Sequence, residues 1–134
     1  MKILSEEELE KLLINEGAVK LWDGHWYYID VRENGTVINT KTGCMSAYYN
    51  TDGYLQVCVP NAITGKYKWL LQHRIVAYVY CENDDPETKI EVDHINGIRD
   101  DNRAENLEWV THAENMRRMK ERNYRKKCKL SIDK

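Results

Sequence analysis

The sequence predicts an α+β fold, with a small antiparallel β-sheet module followed by a strand–loop–strand–helix unit and a basic C-terminal helix. Strand-forming residues are dense over about residues 26–71, two strand-like segments flank a polar loop within 91–110, and basic residues crowd the end of the chain. A length of 134 residues suits one domain with a small appendage. We therefore expect an N-terminal helix and β module over residues 1–71, followed by the second unit over residues 72–134.

The N-terminal part begins with a short amphipathic helix. Ser5 and Glu8 have the spacing of a capping box, in which each side chain can bind the backbone N–H of the other residue. Leu9, Leu12 and Leu13 then recur at helical spacing, which predicts a helix that ends near Gly17. Further on, Asn34-Gly35 is a strong hairpin signal between two segments rich in strand formers. The aromatic residues of this region are predicted as core, with exposed aromatics over a nucleic-acid backbone as the alternative.

The second part predicts two strands, a long loop between them and a helix after them. Residues 91–95 and 107–110 are the strand segments, and Thr111 and Glu114 form a second capping box. The preceding apolar segment, residues 73–81, fits either a buried helix or a strand, and its length does not decide between them.

Charge is distributed unevenly along the chain. Residues 117–134 hold nine basic and two acidic residues, a formal charge of +7, while the other 116 residues carry −9. A local basic segment of this kind is typical of polyanion binding, with a solvated tail as the alternative.

Several classes of protein are excluded by simple patterns. No apolar run approaches the roughly 18 residues that span a bilayer, and acidic residues near the N-terminus argue against a signal peptide. We expect a cytoplasmic protein with no membrane partner. The four cysteines form no C-x-x-C pair, which disfavours a structural zinc protein and favours free thiols.

Four polar residues in the second part suggest chemistry: Asp93, His94, Asn106 and Asn115. A hairpin packed on a helix could bring them together. Asp and Asn offer the oxygen ligands that Mg²⁺ prefers, and His offers a base near neutral pH. With a basic helix to hold phosphate, these are the parts required for phosphodiester hydrolysis. Taken alone, they also fit a structural His–Asp pair and ordinary turn asparagines.

Residues 73–118 resemble the HNH endonucleases encoded by phages and group I introns. The motifs occur in order as D-H, N-G, D-D-N-R-x-E-N-L, W-V-T and x-E-N-M. The earlier segment YYIDVRENGTVIN more weakly resembles the N-terminal module often fused to these nucleases. The resemblance implies a ββα-metal motif, a homing-endonuclease-like activity on DNA, and products with 3′-hydroxyl and 5′-phosphate ends.

The resemblance also implies a role for each of the four residues. His94 would be the general base that activates water. Asp93 and Asn115 would ligate Mg²⁺, or another divalent cation such as Mn²⁺. Asn106 would hold the loop and orient His94 by hydrogen bonding.

We expect double-stranded DNA as the partner, cut by a monomer or a homodimer, and a phage-encoded protein acting in the bacterial host cell. In the longer intron-encoded enzymes a helix-turn-helix follows the catalytic helix, whereas this sequence ends soon after Asn115. Recognition is therefore expected from the N-terminal sheet within residues 1–71, from a partner, or hardly at all. The residues predicted to contact nucleic acid are Arg74, Arg99, Arg103, Arg117, Arg118, Lys120, Arg122, Arg125 and Lys126. The alternative function is a non-catalytic HNH scaffold that binds nucleic acid or regulates a partner.

Overall fold

The structure is a computed structural model that describes residues 3–132, with side chains described for residues 3–124. Helices and small antiparallel sheets alternate along the chain, and the long C-terminal helix comes last, which confirms the predicted fold class. The elements in order are α1 (Glu6–Asn15), β1 (Ala18–Lys20), β2 (Trp26–Val31), β3 (Val37–Asn39), β4 (Ala47–Tyr49), β5 (Leu55–Pro60), β6 (Tyr67–Leu71), α2 (Gln72–Tyr80), β7 (Glu91–His94), a 3₁₀ turn (Ala104–Asn106), β8 (Leu107–Val110) and α3 (His112–Ile132).

The first helix begins where the capping box predicts. Ser5 Oγ accepts a hydrogen bond from the Glu8 backbone N–H, and Glu8 Oε2 accepts one from the Ser5 N–H. These two bonds satisfy backbone donors that the first turn of a helix leaves without partners. The helix ends at Asn15, close to the predicted Gly17.

The strand-rich region forms two three-stranded sheets rather than the single sheet that the sequence predicts. One sheet has the order β1-β2-β3 and the other β4-β5-β6, with an isolated bridge between Tyr27 and Asn61 linking them. Within the first sheet, β2 uses one half of its length to pair with β1 and the other half to pair with β3. Alternate residues of β2 and β5 then point into a shared core.

The hairpin between β2 and β3 turns at Asn34-Gly35, as predicted. Gly35 has a φ of +96°, which favours glycine, and its backbone lies against the loop between β7 and β8. A Cβ atom at Gly35 would lie 2.7 Å from the carbonyl oxygen of Asn102. Ala104 in the same loop donates its N–H to the Glu33 carbonyl oxygen at 2.8 Å. The N-terminal hairpin therefore holds this loop of the second unit.

The segment whose secondary structure the sequence leaves open is the helix α2. Its buried face packs between the N-terminal sheets and β8, and the Trp109 Nε1–H donates to the Ala77 carbonyl oxygen at 3.2 Å. Burying these apolar side chains stabilises both parts of the chain at once. The shared core consists of Leu21, Tyr27, Ile29, Val31, Val37, Val57, Val59, Leu70, Ile75, Val76, Ala77, Leu107 and Trp109.

The second unit has the predicted strand–loop–strand–helix order. β7 and β8 pair antiparallel, with His94 opposite Leu107. Helix α3 begins at His112, and the Thr111 hydroxyl accepts a hydrogen bond from the Glu114 N–H. Within the described residues, no helix has the length and apolar character needed to cross a bilayer.

Candidate active site

A cavity of about 460 Å³ lies between the end of β7, helix α3 and the turn at Gly53. Asp93, His94 and Asn115 all line it. Neighbouring residues on a regular strand face opposite sides, but His94 is the last residue of β7, so both it and Asp93 reach this cavity. The structure therefore brings together three of the four residues that the sequence analysis singled out.

The Asp93 carboxylate is almost fully buried and is held by two arginines of α3. Arg122 donates from Nη1 to Oδ1 at 3.0 Å and from Nη2 to Oδ2 at 2.9 Å, a bidentate pair. Arg118 donates from Nη1 to Oδ2 at 3.0 Å and also to Glu108. Hydrogen bonds to Glu108 and Asp93 raise the pKa of Arg118, so this guanidinium stays charged. The sequence predicts phosphate contacts for both arginines, and in the structure both bind the Asp93 carboxylate.

Asn115 is oriented by Glu91, a residue that the sequence interpretation missed. The Asn115 Nδ2 donates to Glu91 Oε1 at 3.1 Å, and Glu91 Oε2 lies 2.6 Å from His112 Nδ1. A carboxylate only accepts hydrogen bonds, so this contact fixes the amide nitrogen toward Glu91 and leaves the amide oxygen available. Glu91 lies two residues before Asp93 on β7, and that alternation is the signal that could have identified it.

The donor set fits a hard divalent cation such as Mg²⁺. An ionised carboxylate has about four acceptor positions, and the arginines use three of those on Asp93. The remaining position, together with the Asn115 amide oxygen, provides oxygen ligands of the kind that Mg²⁺ accepts. Within the described part of the chain, no three His, Cys, Asp or Glu residues are grouped to hold a metal, so a cation here would rely on one carboxylate and one amide.

His94 is buried and has a polar partner on one side of its ring. Its Nε2 lies 2.7 Å from Asn102 Oδ1, and the rings of His73 and Tyr54 pack beside it with centroids 4.8 and 5.8 Å away. Burial lowers the pKa of His94, and the hydrogen bond with Asn102 and the nearby Asp93 carboxylate oppose that shift. Burial, then the neighbouring His94 and Arg74, lower the pKa of His73 to about 3. Both rings are therefore neutral at physiological pH.

Asn106 holds the loop between β7 and β8, as predicted. Its Nδ2 donates to Asn96 Oδ1 at 3.0 Å and to the Asp101 carbonyl oxygen at 2.8 Å, while its Oδ1 accepts from the Asn96 N–H. The hydrogen bond to the His94 ring, which the sequence assigned to Asn106, is instead made by Asn102. The reason is that Asn106 lies at the base of the loop, where its amide group binds Asn96 and the Asp101 carbonyl oxygen.

Two other arginines predicted to contact nucleic acid, Arg74 and Arg103, have partners within the protein. Arg74 lies over the rings of Trp22 and Trp109, 4.9 and 5.4 Å from their centroids, and donates to the Ile90 carbonyl oxygen. This stacking places it between the two parts of the chain. Arg103 binds Asp101 and Glu105.

Arg99 differs from these because it lines the cavity. It donates to the Asp52 carbonyl oxygen at 2.6 Å and lies 5.2 Å from the centre of the Tyr54 ring. Arg117 and Lys120 are exposed on α3 and form no ion pair with any described residue. The side chains of Arg125 and Lys126 lie outside the described residues. Among the predicted contacts whose side chains are described, Arg99, Arg117 and Lys120 are the ones without an acidic partner.

Comparison with known proteins defines the class of this domain. Residues 72–117 match the family model described as HNH endonuclease, and they contain β7, β8, the loop between them and the start of α3. The chain therefore carries an HNH endonuclease domain.

Two relatives and one solved structure agree with that class. The chain is 43% identical over 90 residues to an uncharacterised HNH endonuclease, L247, of Acanthamoeba polyphaga mimivirus, covering 66% of this chain and 22% of the relative. It is 33% identical over 99 residues to DNA endonuclease I-HmuI of Bacillus phage SP01, covering 73% of this chain and 53% of that protein. A structure of DNA binding and cleavage by the HNH homing endonuclease I-HmuI matches with a TM-score of 0.64 at 30% identity, over 78% of this chain and 58% of that one. The chain thus spans about half of I-HmuI and a smaller share of the mimivirus protein.

Proposed function

We propose that this protein is a metal-dependent, homing-endonuclease-like enzyme that hydrolyses phosphodiester bonds in double-stranded DNA. The observation that carries the proposal is the meeting of Asp93, His94 and Asn115 in one cavity of an HNH domain. A base, two oxygen ligands and a basic helix beside them are the parts that such hydrolysis requires.

Each residue has a separate task in this proposal. His94, neutral at physiological pH, takes a proton from the attacking water as the water oxygen bonds to phosphorus. Asp93 and Asn115 would hold Mg²⁺ or Mn²⁺ through the open acceptor position of the carboxylate and the amide oxygen. When bound, the cation supplies positive charge to the scissile phosphate and to the leaving 3′ oxygen. The bond between phosphorus and the 3′ oxygen breaks, and the 3′ oxygen takes a proton from solvent water, which gives 3′-hydroxyl and 5′-phosphate ends.

Asn106 acts in this scheme through the loop. Its bonds to Asn96 and to the Asp101 carbonyl oxygen fix the connection between the two strands, and so fix the end of β7 where His94 lies. We therefore treat Asn106 as a positioning residue.

DNA contact comes from exposed positive charge near the cavity. Arg99 at its edge, with Arg117 and Lys120 on α3, can bind backbone phosphates, which gives affinity and salt dependence rather than sequence preference. Residues 1–71 are the proposed source of any sequence recognition. One active site per chain cuts one strand, so a monomer nicks and a homodimer cuts both.

Supercoiled plasmid provides the direct test. We expect wild-type protein to relax or linearise it with Mg²⁺ or Mn²⁺, and His94→Ala to lose at least about a hundredfold in rate because the base is removed. The exposed His25 is a matched control, and His25→Ala is expected to cut at the wild-type rate.

Two outcomes contradict the proposal. Cleavage by His94→Ala at the wild-type rate would remove His94 from the chemistry. Tight, salt-sensitive DNA binding with no cleavage in any divalent cation would favour the non-catalytic scaffold.

A further inference from the structure

Asn102 is a buried asparagine in an otherwise exposed loop. It is 3% exposed, whereas Gly97, Arg99 and Arg103 around it are exposed. Burial of an amide is costly unless a polar partner compensates it, and the partner here is the His94 ring. Asn102 is therefore the described loop residue whose side chain binds the His94 ring.

The contact fixes which ring nitrogen of His94 carries the proton. An amide oxygen can only accept, so at 2.7 Å the His94 Nε2 must be the N–H that donates to Asn102 Oδ1. In a neutral imidazole the other nitrogen, Nδ1, then has the free electron pair. Nδ1 has no hydrogen-bond partner among the described residues and keeps some contact with solvent, and the His94 side chain lines the cavity.

The N-terminal hairpin fixes the position of Asn102. The Asn102 carbonyl group lies so close to Gly35 that a Cβ atom added at Gly35 would collide with it. Two residues after Asn102, the Ala104 N–H donates a hydrogen bond to the Glu33 carbonyl oxygen. The packed rings of His73 and Tyr54 limit movement of the His94 ring on its other side. The amide and the imidazole are thus both held from outside the loop itself.

We propose that Asn102 is the positioning residue that holds His94 in its Nε2–H tautomer and presents Nδ1 to the attacking water. This rests on the proposed function, in which His94 is the base. Asn102 touches neither water nor phosphate in this role. It acts on the reaction only through the ring, as partners of a catalytic histidine commonly do.

The tautomer can be measured without any cleavage. In protein labelled with ¹⁵N-histidine, long-range ¹H–¹⁵N spectra at a pH where His94 is neutral distinguish a protonated Nε2 from a protonated Nδ1. We expect wild-type protein to show Nε2–H. Asn102→Ala is expected to lose that preference and about ten- to a hundredfold of the cleavage rate, because partners of this kind contribute that much.

Two further variants separate positioning from a loss of stability. Asn102→Asp keeps an acceptor oxygen opposite Nε2, and the Asn102 amide nitrogen has no described partner to lose. This variant should therefore keep the Nε2–H tautomer at a pH where His94 is neutral, although the new carboxylate raises the pKa of His94. Asn39 is equally buried but lies in the N-terminal module, where it binds backbone N–H groups of its own turn. Asn39→Ala should lose stability while the His94 spectrum stays unchanged.

Each result decides between the inference and its failure. A protonated Nδ1 in the wild-type protein, or an unchanged Nε2–H signal in Asn102→Ala, would overturn the positioning role whatever the activity. The predicted tautomers together with no cleavage of any DNA would support the positioning of the ring and overturn the proposed function.

Discussion

Arg122 and Asp93 form a two-point ion pair at the floor of the candidate active site, with two parallel N–H···O bonds of 3.0 and 2.9 Å. Arg122 also donates to the carbonyl oxygens of His94 and Ile95, and its side chain lies against Gly97, where a Cβ would be 3.2 Å from Arg122 Cδ. The guanidinium therefore binds the same carboxylate that the proposed function assigns to a divalent cation. Charge on Asp93 is compensated before any cation binds.

Removing this guanidinium should tighten cation binding. In Arg122→Met the carboxylate keeps Arg118 and gains acceptor positions beyond the one that is open in the wild type, and Mn²⁺ no longer shares Oδ1 with a charged hydrogen bond. Such a bond contributes about 1.5 kcal/mol, which corresponds to roughly tenfold in affinity. Titration calorimetry with Mn²⁺, in the absence of DNA, measures the change.

Arg117→Met is the matched control on the same helix, because Arg117 is exposed and has no described ion pair. Its cation affinity should equal that of the wild type. Without Mn²⁺, Arg122→Met should have a lower melting temperature than the wild type, because the Asp93 carboxylate has lost a charged partner. Adding Mn²⁺ should raise the melting temperature of Arg122→Met more than that of the wild type, since a ligand that binds the folded state stabilises it. Weaker Mn²⁺ binding by Arg122→Met would show that Arg122 supports the cation site rather than competing for it.

DNA binding should depend on which arginines are already paired. Arg117→Ala is expected to weaken DNA binding about equally for all sequences and to lower the slope of log affinity against log salt by about one, the effect of one lost phosphate contact. Arg103→Ala should leave that slope unchanged, because its guanidinium is bound to Asp101 and Glu105. Fluorescence anisotropy at several salt concentrations measures the slope for each variant. A slope lowered in Arg103→Ala as much as in Arg117→Ala would place Arg103 at the DNA.

Local signals in the sequence predicted local structure well. The capping box at Ser5 and the turn at Asn34-Gly35 each depend on a few neighbouring residues, and α1 and the β2–β3 hairpin form where those residues indicate. The order of strands and helix in the HNH domain also followed from short-range patterns, and the family resemblance supplied the roles of Asp93 and His94.

Side-chain partners across the fold could not be predicted in the same way. Arg122 is 29 residues from Asp93, and their contact depends on how α3 crosses β7, which no local pattern specifies. The partner of the His94 ring was misassigned for the same reason, since only the folded loop shows that Asn102, not Asn106, reaches it.

The buried His73 should make the protein less stable in mild acid. Its folded-state pKa of about 3 lies below the unfolded value near 6.5, so the unfolded chain binds the extra proton between these limits and stability falls as pH drops below about 6.5. From pH 7 to pH 5 the loss from this group is about 2 kcal/mol.

Urea unfolding at the two pH values tests this with His73→Leu, which removes the titrating group and should reduce the loss by about that amount. His94, whose pKa is also lowered by burial, contributes in the same direction and accounts for part of the remaining pH dependence. His25→Ala should follow the wild type, because His25 is exposed. An unchanged acid sensitivity in His73→Leu would mean that His73 is protonated in the folded protein.

The contact between Gly35 and Asn102 couples the N-terminal hairpin to the site. Gly35→Ala would combine two costs: a side chain at a φ of +96° and a Cβ atom 2.7 Å from the Asn102 carbonyl oxygen, a backbone atom that cannot move cheaply. We expect a loss of at least about 2 kcal/mol in the free energy of unfolding, and a lower rate of DNA cleavage because the displaced loop carries Asn102 away from His94.

Gly43→Ala is the matched control, since Gly43 has a φ of +70° but nothing within 4 Å of its added Cβ. It should lose about 1 kcal/mol from backbone strain alone and keep the wild-type rate. Equal losses in the two variants would show that the hairpin does not press on the loop.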